Sequence, residues 1–253
     1  MKFVYWARKR VARRAVAGIL PNAKRLEQFM SETGAIKNAF CVWNCPSVKE
    51  VSLSPRAETK GDFNLYYHGN ISPYRFSALL IEALAELPPE VHLHVVGYET
   101  PGHEGYKEIL RHKALSLGIE NRIKFYEPVS RGDLWTLMSK CHVGLSVIPK
   151  AIDDVNLKYL IGASNKSFDY FCMGLPILTS DISEWEENFV KPGYGLSCDP
   201  SDVRSIIKAL RWFFDHREEA RQMGERARQR LLGEWNYEKQ FAPVLRVLEE
   251  ANS

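Results

Sequence analysis

The sequence predicts an α/β fold in which helices cover both faces of a parallel β-sheet. From residue 63 onward, short apolar runs typical of strands alternate with amphipathic stretches typical of helices. Turn and breaker residues such as Pro88-Pro89 and Gly118 separate them. When each strand is followed by a helix, the helix returns the chain to the same edge of the sheet, so the strands run parallel.

The individual elements can be placed in order. We predict strands over Phe63–His68, Val91–Val96, Arg122–Tyr126, Val143–Ile148, Ile177–Thr179 and Gly195–Ser197. We predict helices over Phe76–Leu87, Gly105–Leu117, Gly132–Met138, Ser201–Phe214, Arg217–Leu232 and Trp235–Ala251. One more helix is predicted between the fourth and the fifth of these strands. This repetition indicates a Rossmann-like domain over residues 61–233, whose ligand would bind at the carboxyl ends of the strands, and a C-terminal helix over residues 234–253.

The first sixty residues show helical patterns and turns, and we predict no strand–helix alternation of their own there. Ala23–Thr33 is predicted to be a helix that ends at Gly34. The polar stretch Ser52–Asp62 is predicted to be a linker.

The composition is that of a globular protein. The chain has 253 residues, of which 45% are hydrophobic and 26% are charged, enough for one large or two small domains. Its five cysteines are odd in number and lack the paired spacing of a zinc site: Cys41, Cys45, Cys141, Cys172 and Cys198. We therefore expect a reducing, cytoplasmic location.

The first 25 residues are strongly basic, although the net charge of the whole chain is only +3. They contain eight Lys and Arg residues and no acidic residue, and no apolar run is long enough for a signal peptide or a membrane span. As a helix, this segment places Phe3 and Trp6 among arginines. Two interpretations stay open: peripheral contact with the anionic inner face of a membrane, or a solvated basic helix. No nucleic acid partner is expected, since the rest of the chain has no basic stripe.

The stretch Ser164–Asp181, SNKSFDYFCMGLPILTSD, carries the clearest functional pattern. Ser164 and Asn165 are residues that begin helices, Lys166 lies in the first helical turn, and Asp169 lies one turn further on. A helix start with a neighbouring lysine can hold a phosphate, and a carboxylate can accept hydrogen bonds from both hydroxyls of a ribose. The pattern therefore predicts a nucleotide diphosphate site, with an ordinary connection between helix and strand as the alternative.

This motif resembles the donor-site signature of GT-B glycosyltransferases of family 4. The resemblance implies that Asp169, where the family usually has Glu, binds the donor ribose; a second family Glu is replaced by Ile161. It also implies that Gly69, Asn70 and Arg75 face the donor diphosphate, and that the loop after the third strand holds the base. The donor-binding residues implied are Gly69, Asn70, Arg75, Gly97, Tyr126, Glu127, Val129, Ser164, Asn165, Lys166 and Asp169.

The same resemblance implies the activity and the domain arrangement. The chain would transfer a sugar from a nucleotide sugar to a saccharide or lipid-linked acceptor, in cell-surface polysaccharide or glycan synthesis. Residues 1–60 would be the remnant of an N-terminal, acceptor-side domain and its linker, to which residues 234–253 return. No catalytic residue is assigned, because any general base usually belongs to that domain. We expect this chain to associate with a separate N-terminal subunit or with itself, because its acceptor-side domain would be incomplete.

Two alternative functions stay open: a non-catalytic donor-binding subunit of a split glycosyltransferase, and a nucleotide-sugar epimerase on the same fold. No cofactor and no metal are expected. Asp153-Asp154 lies in a loop rather than beside a strand end, and cationic side chains can stabilise the leaving diphosphate instead. His92 and His94 alternate along one strand, without a visible carboxylate partner, and are interpreted as structural.

Overall fold

The computed structural model describes residues 2–34, 36–51, 61–150 and 154–252. Most of the predicted linker, and Asp153 of the acidic pair, lie outside these ranges. The chain forms two compact units. The first comprises Met1–Val51, Ala151–Asn165 and Leu231–Ser253, and the second comprises Ser52–Lys150 and Lys166–Arg230.

The described strands fall into two parallel sheets, one in each unit. They are β1 (Gly18–Leu20), β2 (Ala39–Cys41), β3 (Phe63–Asn70), β4 (Val91–Tyr98), β5 (Ile123–Tyr126), β6 (Val143–Ser146), β7 (Ile177–Ser180) and β8 (Gly195–Cys198). The larger sheet has the order β5-β4-β3-β6-β7-β8. Its neighbouring strands all pair in parallel, so the predicted α/β fold is confirmed.

Among the described α-helices, α1 precedes the first strand and the others connect the strands or follow them. They are α1 (Lys2–Arg14), α2 (Ala23–Thr33), α3 (Leu79–Ala85), α4 (Tyr106–Ser116), α5 (Arg131–Met138), α6 (Val155–Lys158), α7 (Asn165–Cys172), α8 (Ser183–Trp185), α9 (Val203–Asp215), α10 (Arg217–Gly233) and α11 (Tyr237–Asn252). Helix α3 begins three residues later than predicted, because the amides of Arg75 and Phe76 both donate to the Ser72 carbonyl in a preceding turn.

The order of the larger sheet decides where a ligand can bind. Strand β3 lies between β4 and β6, so the chain leaves β3 in one direction and later returns on its other side. In open parallel sheets the crevice for ligands lies at such a reversal, outside the carboxyl ends of the strands. Here that edge carries His68, Gly69 and Asn70 at the end of β3.

The first unit contains a small strand–helix–strand arrangement, contrary to our expectation for residues 1–60. Strand β1 pairs in parallel with β2, with Gly18 opposite Ala39 and Leu20 opposite Cys41, and α2 connects the two. The prediction was wrong because three-residue strands are too short to show a period of two. Helix α2 itself ends at Gly34 as predicted, and the Asn22 side chain caps its start.

The final helix belongs to this first unit. The amide of Tyr237 donates to the Pro46 carbonyl at 2.9 Å, and the ring centroids of Trp43 and Trp235 are 5.4 Å apart. These contacts hold α11 against residues 43–48. Among the residues that the structure describes, no helix combines the length and the apolar character needed to cross a membrane.

Helix α7 is held against the larger sheet by an aromatic residue over a glycine. A Cβ placed on Gly144 of β6 would lie 2.2 Å from the ring of Tyr170, so only glycine leaves room for this ring. The Tyr170 hydroxyl donates to the Leu145 carbonyl at 3.1 Å. This packing fixes the position of the neighbouring residue, Asp169.

We expect Gly144→Ala to destabilise the second unit. The added methyl group must displace the fully buried Tyr170 ring, and overpacking of this kind costs about 1–3 kcal/mol of unfolding free energy. Gly132→Ala in α5 is the matched control, because its Cβ would meet only the Ser130 hydroxyl at 3.9 Å. Urea unfolding checks both; equal midpoints for the two variants would contradict this account of the packing.

Candidate functional site

Two glycines bring the ends of β3 and β4 close together. Gly69 has a φ of 122°, in the region that favours glycine, and it lies opposite Gly97 in the register. A Cβ on Gly97 would lie 1.8 Å from the Gly69 carbonyl oxygen. No other residue fits at position 97 without moving the backbone of β3, so the sequence creates a close-packed glycine floor at the carboxyl edge of the sheet.

Lys166 points at this floor from the first turn of α7. Its Nζ lies 3.8 Å from the position of a Cβ on Gly69 and 4.1 Å from the ring centroid of Tyr67. No hydrogen bond or ion pair joins this Nζ to another described residue. Burial, reinforced by the positive charge of Arg75, lowers the pKa of Lys166 to about 7. An anion at this floor would therefore meet a cation that has no carboxylate partner among the described residues.

Asp169 lies three residues further along α7 and is buried, with only 4% of its surface exposed. Its Oδ2 is 3.2 Å from His68 Nε2, and its Oδ1 accepts a hydrogen bond from Arg131 Nη2 at 3.1 Å. A carboxylate oxygen has two lone-pair positions, so each oxygen keeps a second one for a ligand hydroxyl. The two contacts hold the carboxylate in a fixed orientation.

His68 and Arg131 are site residues that sequence reasoning missed. Burial lowers the pKa of His68, so its imidazole is neutral and donates its Nε2 proton to the carboxylate. Arg131 begins α5, directly after the loop that follows β5, and its guanidinium also lies over the Trp135 ring. One feature of the sequence could have indicated His68, namely that it directly precedes Gly69 at the predicted end of a strand.

The other residues predicted around the diphosphate are brought to the same edge. Asn70 Nδ2 donates to the Thr100 hydroxyl at 3.1 Å, and Asn70 Oδ1 is buried without a hydrogen-bond partner in the described part of the chain. The Tyr67 hydroxyl donates to the Asn70 carbonyl. Arg75 lies in the turn that follows β3, close enough to affect the pKa of Lys166 and of Tyr67.

The side chains predicted in the loop after β5 contact the protein itself. Tyr126 stacks on His94, whose Nδ1 is 3.0 Å from the tyrosine hydroxyl. Glu127 pairs with Lys107 at 2.7 Å, and this hydrogen bond lowers the pKa of Glu127. Val129 is exposed at the surface. The contact of these three residues with a ligand stays a prediction.

The start of α7 differs in detail from the sequence prediction. Asn165 is the first helical residue rather than a cap, and it is exposed. The amide of Ser164 donates to the Leu160 carbonyl at 2.9 Å. Their contact with a ligand stays a prediction.

No group of three or more potential metal ligands is present within residues 2–34, 36–51, 61–150 and 154–252. His92 does have a carboxylate neighbour, contrary to our expectation, since its Nε2 is 3.8 Å from Asp62. His94 bonds Tyr126 and Asn64. His94 therefore joins β4 to its two neighbouring strands, β5 and β3.

Fold and candidate site together place a cation and a buried carboxylate at the carboxyl edge of a parallel sheet. A family model described as glycosyl transferase-like matches residues 75–246, which is more than half of the chain. The chain belongs to this family. No curated protein matches the sequence.

Solved structures show the same fold. HepE from Anabaena, in complex with UDP and glucose, superposes with a TM-score of 0.76 at 18% identity, over 99% of this chain and 68% of that one. Sucrose-phosphate synthase from Thermosynechococcus elongatus gives 0.69 at 16%, over 100% and 63%. WaaG, a glycosyltransferase involved in lipopolysaccharide biosynthesis, gives 0.67 at 16%, over 89% and 60%. These are GT-B glycosyltransferases, and this chain spans about two thirds of their length.

Proposed function

We propose that this protein binds a nucleotide-diphosphate sugar in its second unit and transfers the sugar, a hexose, to a saccharide or lipid-linked acceptor. The single observation that carries the proposal is the pairing of Lys166 and Asp169 one turn apart on α7, above the glycine floor of β3 and β4. The lysine suits a diphosphate, and the buried carboxylate suits the hydroxyls of a ribose. Membership of a glycosyltransferase family and the UDP bound to Anabaena HepE support this reading.

The residues contribute positioning and charge. As the sugar leaves, negative charge grows on the departing diphosphate, and preorganised cations stabilise that charge. Lys166 lies at the glycine floor, and Arg75 is close enough to lower its pKa. Asp169 holds the nucleoside in place. This contributes to catalysis because holding the reactants in the reacting geometry lowers the activation barrier. No general base is assigned.

Calorimetric titration tests the binding step. We expect UDP or GDP to bind and to raise the melting temperature, because a ligand that binds only the folded state stabilises it. The corresponding monophosphate and nucleoside are the controls, and their affinity should fall as each phosphate is removed. The site would be refuted if neither UDP nor GDP, at millimolar concentration, produced binding heat or a shift in melting temperature.

Nucleotide binding should not require a divalent metal. Lys166 and Arg75 already supply positive charge beside the glycine floor, which is the role that a metal would have on a diphosphate. The measurement is the affinity for UDP or GDP after treatment with a chelator, and again after adding back manganese. A loss of affinity that manganese restores would contradict the prediction.

A second candidate is a donor-binding subunit that acts with a separate acceptor-side partner. The favouring observation is the contrast between the sheets, since the described part of the first unit has two short strands and the described part of the second unit has six. We expect this polypeptide alone to bind donor and to transfer sugar poorly. Transfer from labelled nucleotide sugars to saccharide and lipid-linked acceptors checks this, and robust turnover by the isolated monomer would exclude the candidate.

A further inference from the structure

We propose that helix α1 and strand β1 form a docking surface for an anionic lipid bilayer. The surface lies entirely in the first unit and shares no residue with the predicted donor site. It combines apolar side chains that face solvent, a groove beside them, and an excess of positive charge that makes no ion pair with the described residues.

The large apolar side chains of α1 are exposed rather than packed. Phe3 is 76% exposed, Trp6 is 56% exposed and Val11 is 69% exposed. The rings of Phe3 and Trp6 stack with their centroids 5.9 Å apart. Among the described residues of this helix, only Ala12 is buried. A contiguous apolar patch on a folded unit marks a surface that contacts something other than water.

A groove of about 600 Å³ continues this patch between α1 and β1. Its lining is apolar apart from Arg8, and includes Phe3, Val4, Ala7, Val11, Ile19 and Ile36. Arg8 is tied to the protein, since it pairs with Glu32 at 3.4 Å and lies over the Phe29 ring. The groove therefore offers apolar depth to acyl chains, without an unpaired charge at its wall.

Positive charge surrounds this apolar surface. Lys9, Arg13 and Arg14 are exposed and make no ion pair with another described residue, and Arg10 lies over the Trp6 ring at 5.5 Å. No acidic residue occurs in the first 25 positions. Arginine and lysine can lay their carbon chains along apolar surface while their charges stay in water, and exposed tryptophan favours the boundary between headgroups and acyl chains.

The charge also selects the occupant. A second copy of this chain would present the same cationic surface, so that like charges would oppose association. An anionic bilayer supplies negative charge for the cations of this helix and an apolar layer for its exposed apolar side chains. Helices of this composition lie in the plane of the membrane interface.

Co-sedimentation with vesicles tests the proposal. We expect the full chain to bind vesicles of phosphatidylcholine with phosphatidylglycerol, and to bind pure phosphatidylcholine far more weakly. Lys9→Gln with Arg13→Gln should weaken binding by about fivefold for each cation removed. The matched control is Arg204→Gln with Lys208→Gln, which removes two exposed cations from α9 and should leave binding unchanged.

The apolar contribution is tested by Phe3→Ser with Trp6→Ser, which should weaken binding about tenfold or more. Ile109→Ser, on the exposed face of α4, is the matched control. Brominated lipids should quench the emission of the wild type more than that of Trp6→Phe. Insertion of this ring into the bilayer predicts that difference.

Three outcomes would overturn the proposal. One is equal binding to neutral and anionic vesicles, and another is equal quenching of the wild type and Trp6→Phe. The third is a chain that ignores vesicles but forms dimers, measured by light scattering, that Phe3→Ser with Trp6→Ser dissociates. That result would assign the surface to a second copy of the chain.

Discussion

Asp169→Asn is expected to weaken nucleotide binding by about tenfold to a hundredfold, while the protein stays folded. The substitution removes the negative charge that strengthens hydrogen bonds from a ribose, and hydrogen bonds to charged groups contribute about 1.5–3 kcal/mol. The amide also replaces one oxygen with a donor, which then faces the donors of His68 or Arg131. The affinity for UDP and GDP, measured by calorimetry, is the direct test.

Two comparisons make this result specific. Asp133→Asn, an exposed carboxylate in the first turn of α5, is the matched control and should bind nucleotides normally. The Asp169→Asn loss should be equally large for UMP and UDP, because both carry the ribose. A variant that melts earlier but binds UDP and GDP as tightly as the wild type would show that Asp169 only stabilises the fold.

Lys166→Met is expected to weaken diphosphate binding by a similar factor, and to do so mainly for UDP rather than UMP. Methionine fills a comparable volume above the Tyr67 ring but provides no charge for the diphosphate. Lys166→Arg is the control that keeps the charge, since its guanidinium stays protonated at all relevant pH values. A Lys166→Met protein that binds UDP normally would remove this residue from the site.

The lowered pKa of Lys166 adds a dependence on pH. Above its pKa of about 7, the free protein holds this lysine neutral, whereas a bound diphosphate favours the ammonium form. Binding then takes up a proton, so affinity for an intact nucleotide sugar should fall as pH rises from 7. Calorimetry in buffers of different ionisation enthalpy measures that proton directly. The dependence should vanish in Lys166→Met and Lys166→Arg.

The same shift acts on stability, with the opposite pH direction. The unfolded chain holds the lysine proton up to a pKa of about 10.4, and the folded chain releases it near 7. Between these values the unfolded state binds more protons, so this residue makes the free energy of unfolding rise with pH. Urea unfolding across that window should show a steeper rise for the wild type than for Lys166→Met.

The sequence alone determined the class of fold and predicted the centre of the candidate site. Alternation of apolar runs with helical patterns placed each strand of the larger sheet to within a few residues, because the period of side chains is a local property of the chain. The spacing of Lys166 and Asp169 was equally local, since residues three apart on a helix share a face. Both predictions rest on local patterns of the sequence.

Only the tertiary structure decided the partners of those residues. His68 in β3 and Arg131 in α5 lie 101 and 38 residues before Asp169 in the sequence. The contact with His68 exists because the strand order places β3 beside β6. The short parallel strands β1 and β2 were likewise not predicted from the sequence. Three residues carry too little pattern to predict a strand, and pairing between distant segments is set by packing, which no local pattern records.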